Sequence, residues 1–183
     1  MAALIEAATR LFAERGPTAV SHREVARAAN VNLGLIHRYI GGKDELLAQV
    51  LAARPGMPPV SPPVPWSADD IADLMLTLIA ADAAYTKVVL RATLDGYDVP
   101  EMQVAFPLIE QAALAMRQVL PRRDADARVA LLSAALLGWQ TLAPTLLAVV
   151  GQTGLSTAEA AEALRPALVA FLSAEAPAQH PSS

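Results

Sequence analysis

Apolar residues recur at helical spacing over the first residues of the chain. The positions that share one face of a 3.6-residue helix are Leu4, Ile5, Ala8, Leu11 and Phe12. The pair Gly16-Pro17 follows directly, and proline cannot continue a helix because it lacks an amide donor and clashes with the preceding turn. The pattern therefore predicts an amphipathic first helix that stops at Gly16.

The sequence SHRE opens the next apolar stretch. Ser21 stands three residues before Glu24, the spacing at which the two side chains cap the exposed amides at the start of a helix. The buried face that this second helix is expected to present comprises Val25, Ala26 and Ala29.

A tight turn and two further helices are predicted next. Asn30 tolerates the left-handed backbone of such a turn, Asn32 caps a third helix at 33–40, and Gly41-Gly42 ends it. A fourth helix begins at Lys43. Its inward positions are Leu46, Leu47, Val50 and Leu51.

The segment PGMPPVSPPVP, residues 55–65, has six prolines in eleven residues. It predicts an extended, semi-rigid linker between a domain at 1–54 and a domain at 66–176, with a disordered tail at 177–183. Ser67 is expected to cap the first helix beyond the linker, and Ser156 or Thr157 the last one. The five helices expected there span about 68–84, 86–95, 100–119, 124–150 and 157–174.

The composition supports an all-α fold. Hydrophobic residues make up 54% of the 183 residues and aromatic residues only 4%, which favours helices because strands prefer β-branched and aromatic side chains. The absence of cysteine excludes disulfides and thiol catalysis. No enzymatic activity, cofactor or metal is expected, since His22, His37 and His180 lack metal-ligand spacing and neither a phosphate loop nor a nucleophile–base pair appears.

The charge is divided unequally. Residues 1–54 carry seven bases and five acids, a net charge of +2, and residues 55–183 carry seven bases and thirteen acids, a net charge of −6. Only the first part could therefore approach a phosphate backbone.

The N-terminal run MAALIEAATRLFAERG is unlike a signal peptide, and we expect a cytoplasmic protein.

The helices at 21–29 and 33–40 have the layout of a helix-turn-helix. If Ile36 and Ile40 point inward, the 100° step of a helix orders the rest of the third helix around them. Opposite lie Gly34, Leu35 and Arg38, with His37 and Tyr39 on the flanks and Leu33 near the inward edge. The alternative from this pattern alone is a helical hairpin inside an all-α core.

The stretches LIEAATRLFAERG and SHREVARAANVNLGLIHRYIGGKDELL resemble a TetR-type transcriptional regulator over residues 4–51. The resemblance implies a TetR-like all-α fold, with an N-terminal three-helix helix-turn-helix domain (motif at about 21–40) and a C-terminal helical domain for ligand binding and dimerisation. Such a bacterial regulator would most commonly be a repressor that binds a palindromic operator in double-stranded DNA as a homodimer and is released by a small-molecule effector.

The resemblance also implies roles for individual residues. Ser21 caps the second helix, and His22 and Arg23 touch a phosphate or a base edge. Tyr39 bonds a phosphate, and Lys43 contacts another through its charge and the helix N-terminal amides. The residues implied to meet bases and backbone are Leu33, Gly34, Leu35 and His37, beside the outward-facing Arg38.

Three residues and the linker depart from the family pattern. Asn30 replaces a usual glycine, Leu35 a usual threonine and His37 a usual tyrosine. Leucine can contact thymine methyl groups but cannot bond a phosphate, so operator preference should differ from that of relatives. Pro55 also stops the fourth helix, which in the family commonly runs on into the C-terminal domain and carries the effector signal.

Residues 129–151 carry no charge over 23 residues. By length they could cross a membrane, although Gln140 and Pro144 interrupt the apolar run. A buried core helix is the second interpretation. The family implies a third, in which helices at about 124–150 and 157–174 pair with their copies in a four-helix bundle. We expect no membrane contact. The small residues that would allow close approach are Ala134, Ala135 and Gly138.

A pocket for an apolar or planar effector is implied only by the family. The large adaptable and aromatic side chains available to line it are Met75, Tyr85, Tyr97, Met102, Phe106, Met116 and Trp139. The alternative function is a helical protein-interaction module without specific DNA binding, which predicts no salt-dependent DNA affinity.

Overall fold

A computed structural model describes residues 1–54, 66–102 and 107–173, with the side chains of residues 107 and 108 excepted. Those residues form helices and no strands, which confirms the all-α prediction. The first group of helices is α1 (Ala2–Arg15), α2 (His22–Ala28), α3 (Leu33–Tyr39) and α4 (Lys43–Ala53). The others are α5 (Ala68–Ala80), α6 (Ala84–Leu94), α7 (Pro107–Met116), α8 (Arg122–Val149), α9 (Thr157–Glu162) and α10 (Arg165–Ser173).

The local signals at the start of the chain have the predicted structure. The Ser21 amide donates to Glu24 Oε2 at 2.9 Å while the Glu24 amide donates to Ser21 Oγ at 3.3 Å, which is a capping box. The Gly34 amide donates to the Asn32 side chain at 2.8 Å and starts α3. Asn30 has φ 53°, the left-handed conformation expected of the turn.

The chain divides into two compact units, and the division differs from the predicted domains. One unit comprises Met1–Met57 and Ala81–Ala105, and the other comprises Pro58–Ala80 and Phe106–Ser183. Helix α6, predicted as part of the C-terminal domain at 66–176, thus belongs with the helix-turn-helix. One boundary between the units, after Met57, does lie in the proline-rich segment, but the chain returns to the first unit at Ala81–Ala105.

Helix α6 joins the first unit through apolar and polar contacts with α1 and the turn after it. Val88 and Ala92 are fully buried. Arg91 Nε donates to the Ala13 carbonyl at 2.9 Å, and the Thr18 amide donates to Asp95 Oδ2 at 2.9 Å. The largest fully buried side chains that α1 to α4 contribute to the core of this unit are Phe12, Ile36, Leu46, Leu47 and Leu51.

The second unit packs α5, α7, α8 and α10 around a common core. Its buried members include Ile71, Met75, Met116, Val129, Leu132 and Leu172. Arg128 of α8 donates through Nη1 to the Phe171 carbonyl at 2.7 Å and so satisfies a carbonyl in the last turn of α10. The caps predicted at Ser67 and Ser156 are present. The Asp70 amide donates to Ser67 Oγ, and the Glu159 amide donates to Ser156 Oγ.

Three of the helices predicted in the second half have different bounds in the structure. The helix expected at 157–174 is two helices, because Pro166 lacks an amide and its ring clashes with the carbonyl four residues earlier, where α9 ends. The helix expected at 68–84 stops at Ala80, and Asp82 accepts from the Ala84 amide at 3.0 Å to start α6. The helix expected at 100–119 is α7 over Pro107–Met116, and its described residues 100–102 and 117–119 form turns instead. The helix expected at 124–150 is confirmed by α8, which continues through Pro144.

Several predictions fall outside the described residues. These are the linker at 55–65, the tail at 177–183 and residues 103–106 of the helix expected at 100–119, which include Phe106.

Helix α8 is long and apolar enough to cross a membrane by length and composition alone, the one such helix among the described residues. Only 17% of its most apolar window is buried within the protein. Much of its apolar surface therefore faces outward.

Candidate nucleic-acid interface

The turn between α2 and α3 holds the two helices of the motif in a fixed relation. The Val31 amide donates to the Ala26 carbonyl at 2.9 Å and the Asn30 amide to the Arg27 carbonyl at 3.2 Å. Val25 on α2 and Ile36 on α3 are almost completely buried. The opposite side of α3 is consequently left to face outward.

The exposed side of α3 carries most of the residues predicted to meet DNA. Leu35 is 49% exposed and Tyr39 63% exposed, so both side chains are available for contact with a partner. Leu33, placed ambiguously by the sequence, is half-buried. The other exposed members of the predicted set are Ser21, Arg23, Gly34, His37 and Arg38.

Arg38 and Tyr39 lie against each other on this surface. The Arg38 guanidinium carbon is 5.5 Å from the centre of the Tyr39 ring, within the range of a cation–π contact. Arginine presents several donors in one plane, so the pair offers a guanidinium and a phenol hydroxyl side by side. That combination suits contact with phosphate oxygens.

Lys43 lies at the first turn of α4 and is half-buried. Its Nζ donates to the Thr18 carbonyl at 2.9 Å, and an ammonium keeps two further donors for another acceptor. The Thr18 amide in turn bonds Asp95 of α6. Thr18 and Asp95 therefore connect α6 to the predicted phosphate contact, a connection that no sequence pattern indicated because the residues are 77 positions apart.

Glu24 connects the start of α2 to the end of α1. Its hydrogen bonds from the Ser21 backbone and side chain, and then from Arg15, lower its pKa from 4.5 to about 2. Arg15 Nη2 lies 2.8 Å from Glu24 Oε1. Glu24 is therefore ionised near neutral pH and binds the end of α1 to the start of α2.

His22 and His37 are in direct contact. Their ring centres are 5.0 Å apart and the ring planes are at 86°. His22 is half-buried, and its Nε2 is buried without a hydrogen-bond partner. The sequence placed both residues at the interface without indicating that they touch.

The residues predicted to line an effector pocket divide between the two units. Tyr85, Tyr97 and Met102 belong to the first unit, and Met75, Met116 and Trp139 belong to the second. The Tyr85 hydroxyl is buried without a partner, and burial raises the pKa of Tyr85. Met75 and Met116 are part of the apolar core of the second unit, so neither unit by itself gathers the predicted set.

Gln140 is a polar residue of α8 that the pocket prediction did not include. Its Nε2 donates to the Leu78 carbonyl of α5, while its Oε1 is buried without a partner. A single glutamine inside an apolar run is the sequence signal for such a buried polar contact.

The described parts of the chain contain no group of three or more histidine, cysteine, aspartate or glutamate side chains that could hold a metal ion. The site is thus defined by a helix-turn-helix with cations and exposed apolar groups on its outer helix.

Comparison with known proteins agrees with that class. The family model for bacterial regulatory proteins of the tetR family matches residues 4–50. The HTH-type transcriptional repressor Rv3405c of Mycobacterium tuberculosis is 35% identical over 164 residues, which cover 82% of this chain and 77% of that protein. The chain belongs to the TetR family and is a DNA-binding transcriptional regulator of the helix-turn-helix type.

Solved structures share the fold at low sequence identity. GusR of Salmonella enterica has a TM-score of 0.63 at 16% identity, with 94% of this chain and 95% of that chain covered. A structure described as the multidrug binding protein EbrR complexed with imidazole has a TM-score of 0.56 at 21% identity, with 97% and 91% covered. These similarities extend over both units and confirm the predicted fold.

Proposed function

We propose that this protein is a repressor that binds a palindromic operator as a homodimer and is released by a small, largely apolar effector. The observation that carries the proposal is the outer face of α3, where exposed Leu35, His37, Arg38 and Tyr39 stand on a helix whose other side is buried through Ile36. The similarity to a repressor from Mycobacterium tuberculosis supports repression rather than activation.

The interface separates into backbone contacts and base contacts. Lys43, Arg23, Arg38 and Tyr39 carry charges or hydroxyls that bind phosphate, which gives affinity without sequence preference. Leu35 and His37 face the groove, where leucine contacts thymine methyl groups and an imidazole donates to or accepts from base edges.

A second copy of the chain is the proposed occupant of the exposed face of α8. Large apolar side chains repeat at helical spacing along it, and the residues from 129 to 149 are uncharged. Small residues between them permit close helix packing, as the family's four-helix dimer bundle requires. The exposed large members are Leu131, Leu142, Leu146 and Val149, with Ala134, Ala135 and Gly138 between them.

The dimer explains α8 better than a membrane does. Charged residues at its start, Arg122, Asp126 and Arg128, are engaged in contacts to the protein, and α5 and α7 pack on its other side. If the dimer is two-fold symmetric about α8 and α10 as in the family, its two recognition helices would bind half-sites roughly 34–36 Å apart, one turn of DNA. We accordingly place the protein in the cytoplasm with its operator.

The effector is proposed to be apolar with one or more hydrogen-bonding groups. In the second unit, Gln140 Oε1 is buried without a partner, which is costly unless something pairs with it, and a hydrogen-bond donor on a ligand would do so. EbrR, a multidrug binding protein seen with imidazole, supports a small planar ligand with a hydrogen-bonding group. A thermal-shift screen of a compound library, with Gln140→Leu beside the natural protein, identifies compounds that need this amide.

Selection from a pool of random double-stranded DNA tests the DNA-binding proposal. The protein should enrich a sequence with two inverted half-sites about one helical turn apart. If no sequence is enriched even at low salt, the alternative of a protein-interaction module is correct and the regulator mechanism proposed for this chain is wrong.

A further inference from the structure

The contact between His22 and His37 joins the first residue of α2 to the exposed face of α3. Perpendicular rings with centres 5.0 Å apart have the edge-to-face arrangement, in which the electropositive edge of one ring meets the electron-rich face of the other. The two rings belong to different helices, so the contact restrains one side chain through the position of the other.

His22 is poorly placed to contact DNA itself. A histidine bonds phosphate or a base edge through a ring nitrogen, and the outer nitrogen of His22, Nε2, is buried and has no partner. Its neighbour Arg23 is exposed and is the better candidate for a phosphate contact from this turn of α2.

The backbone that carries His22 is held firmly. Ser21 and Glu24 close the capping box around it, and the ion pair from Arg15 to Glu24 at 2.8 Å fastens the start of α2 to α1. The His22 ring therefore stands on a part of the unit that is fixed before any DNA arrives.

His37 is exposed on α3, and an exposed side chain that must adopt one rotamer on binding loses conformational entropy. A fixed ring at its flank removes part of that cost beforehand. We propose that His22 is a positioning residue that orients the His37 imidazole toward the major groove and thereby sets operator specificity. The proposal rests on the proposed DNA-binding function.

Random-sequence DNA selection with His22→Ala, His22→Phe, His37→Ala and the double variant His22→Ala/His37→Ala tests this role. His22→Ala should weaken base preference by about 3- to 10-fold, the range that an aromatic pair contributes, and at the same base pairs as His37→Ala. The double variant should be no worse than His37→Ala, because coupled residues are not additive. His22→Phe keeps a ring at this place and should restore most of the preference.

Two results would overturn the proposal. One is a uniform loss of affinity for all sequences with a smaller salt dependence in His22→Ala, which is the behaviour of a direct phosphate contact. The other is full additivity of the two substitutions. Thermal unfolding of each variant separates loss of fold from loss of preference, and His22→Phe decides the question if the alanine variant is unstable.

A measurement without DNA keeps the inference distinct from the function on which it rests. The ring-proton resonances of His37 should shift in His22→Ala, because the neighbouring ring current is removed. Unchanged resonances would refute the pairing itself. If the resonances shift but the natural protein enriches no DNA sequence, the proposed function fails, and the role of His22 in reading DNA fails with it.

Discussion

Leu35 is half exposed on a helix face that also carries His37 and Arg38. An apolar side chain in this place gains nothing from water and can gain from a thymine methyl group in the major groove. The neighbouring imidazole adds hydrogen bonding, so the two side chains together favour an operator with thymine next to a base that offers a donor or acceptor.

Lys43 is expected to strengthen binding to every sequence alike. Lys43→Ala removes one phosphate contact, so the slope of log affinity against log salt should fall by about one, with base preference unchanged. His37→Ala should instead change the preferred bases. Fluorescence anisotropy at several salt concentrations measures both quantities.

Lys87→Ala is the matched control for this experiment, because Lys87 is exposed on α6 and lies beside Glu14 of α1 rather than on α2 or α3. It should leave the salt slope as it is. Identical behaviour of Lys43→Ala and His37→Ala would show that the division into backbone and base contacts is wrong.

Glu24 should make stability depend on acid pH. Because its pKa is about 2 in the folded protein and 4.5 ordinarily, the stabilisation is complete above about pH 4.5 and is lost as pH falls toward 2. The Tm of Glu24→Gln should therefore lie below that of the natural protein at pH 7, and the difference should shrink between pH 4.5 and 2. A Tm difference that is the same at every pH would contradict this account.

At the level of helices, the connection from α6 to the turn after α1 depends on close approach. Gly16 has φ 83° and ψ 151°, a conformation that side chains rarely adopt. A Cβ there would lie 2.7 Å from Asp95 Oδ2, the oxygen that holds the Thr18 amide. The C-terminal end of α6 therefore contacts the turn after α1 at Gly16, where a side chain would not fit.

Gly16→Ala is expected to cost about 1–3 kcal/mol of unfolding free energy. The reason is the backbone strain together with displacement of Asp95. Urea unfolding monitored by circular dichroism measures the change. Gly154→Ala is the control, because a Cβ there meets nothing within 4 Å, and it should change stability by less than about 0.5 kcal/mol. Equal effects of the two substitutions would refute the close-approach argument.

The helices of the N-terminal unit could be predicted because their signals are local. The Ser21 cap, the left-handed Asn30 and the Asn32 cap each act within three residues. The packing of α6 with the N-terminal unit could not be predicted. It depends on contacts such as the one between Thr18 and Asp95, which are distant in the sequence. The effector-pocket residues divide between the units for the same reason, and the contacts of the site with DNA stay predictions.

The prediction of one helix at 157–174 was wrong, and the reason is local. Pro166 is the local signal for the break, and the periodic apolar residues on both sides of it do not show the break. Proline is tolerated in the first turn of a helix, so α10 can begin at Arg165 only if α9 has already ended.

For the whole molecule, the exposed face of α8 should hold two copies together. Leu142→Glu places a charge on that face and should convert the dimer into a monomer, because burying an unpaired carboxylate is costly. Analytical ultracentrifugation measures the mass. Leu94→Glu is the matched control, since Leu94 is 76% exposed on α6, and it should remain a dimer. A natural protein that is monomeric at micromolar concentration, or a Leu142→Glu dimer, would contradict the arrangement.

Operator affinity is the property on which the account depends most. The most direct measurement is the equilibrium affinity of the protein for its selected duplex and for a shuffled duplex of the same composition, at about 50 and 200 mM salt. We predict at least a thousand-fold preference for the selected duplex at the higher salt, and a steep loss of affinity for both as salt rises. Equal affinity for the two duplexes, or affinity independent of salt, would contradict the account.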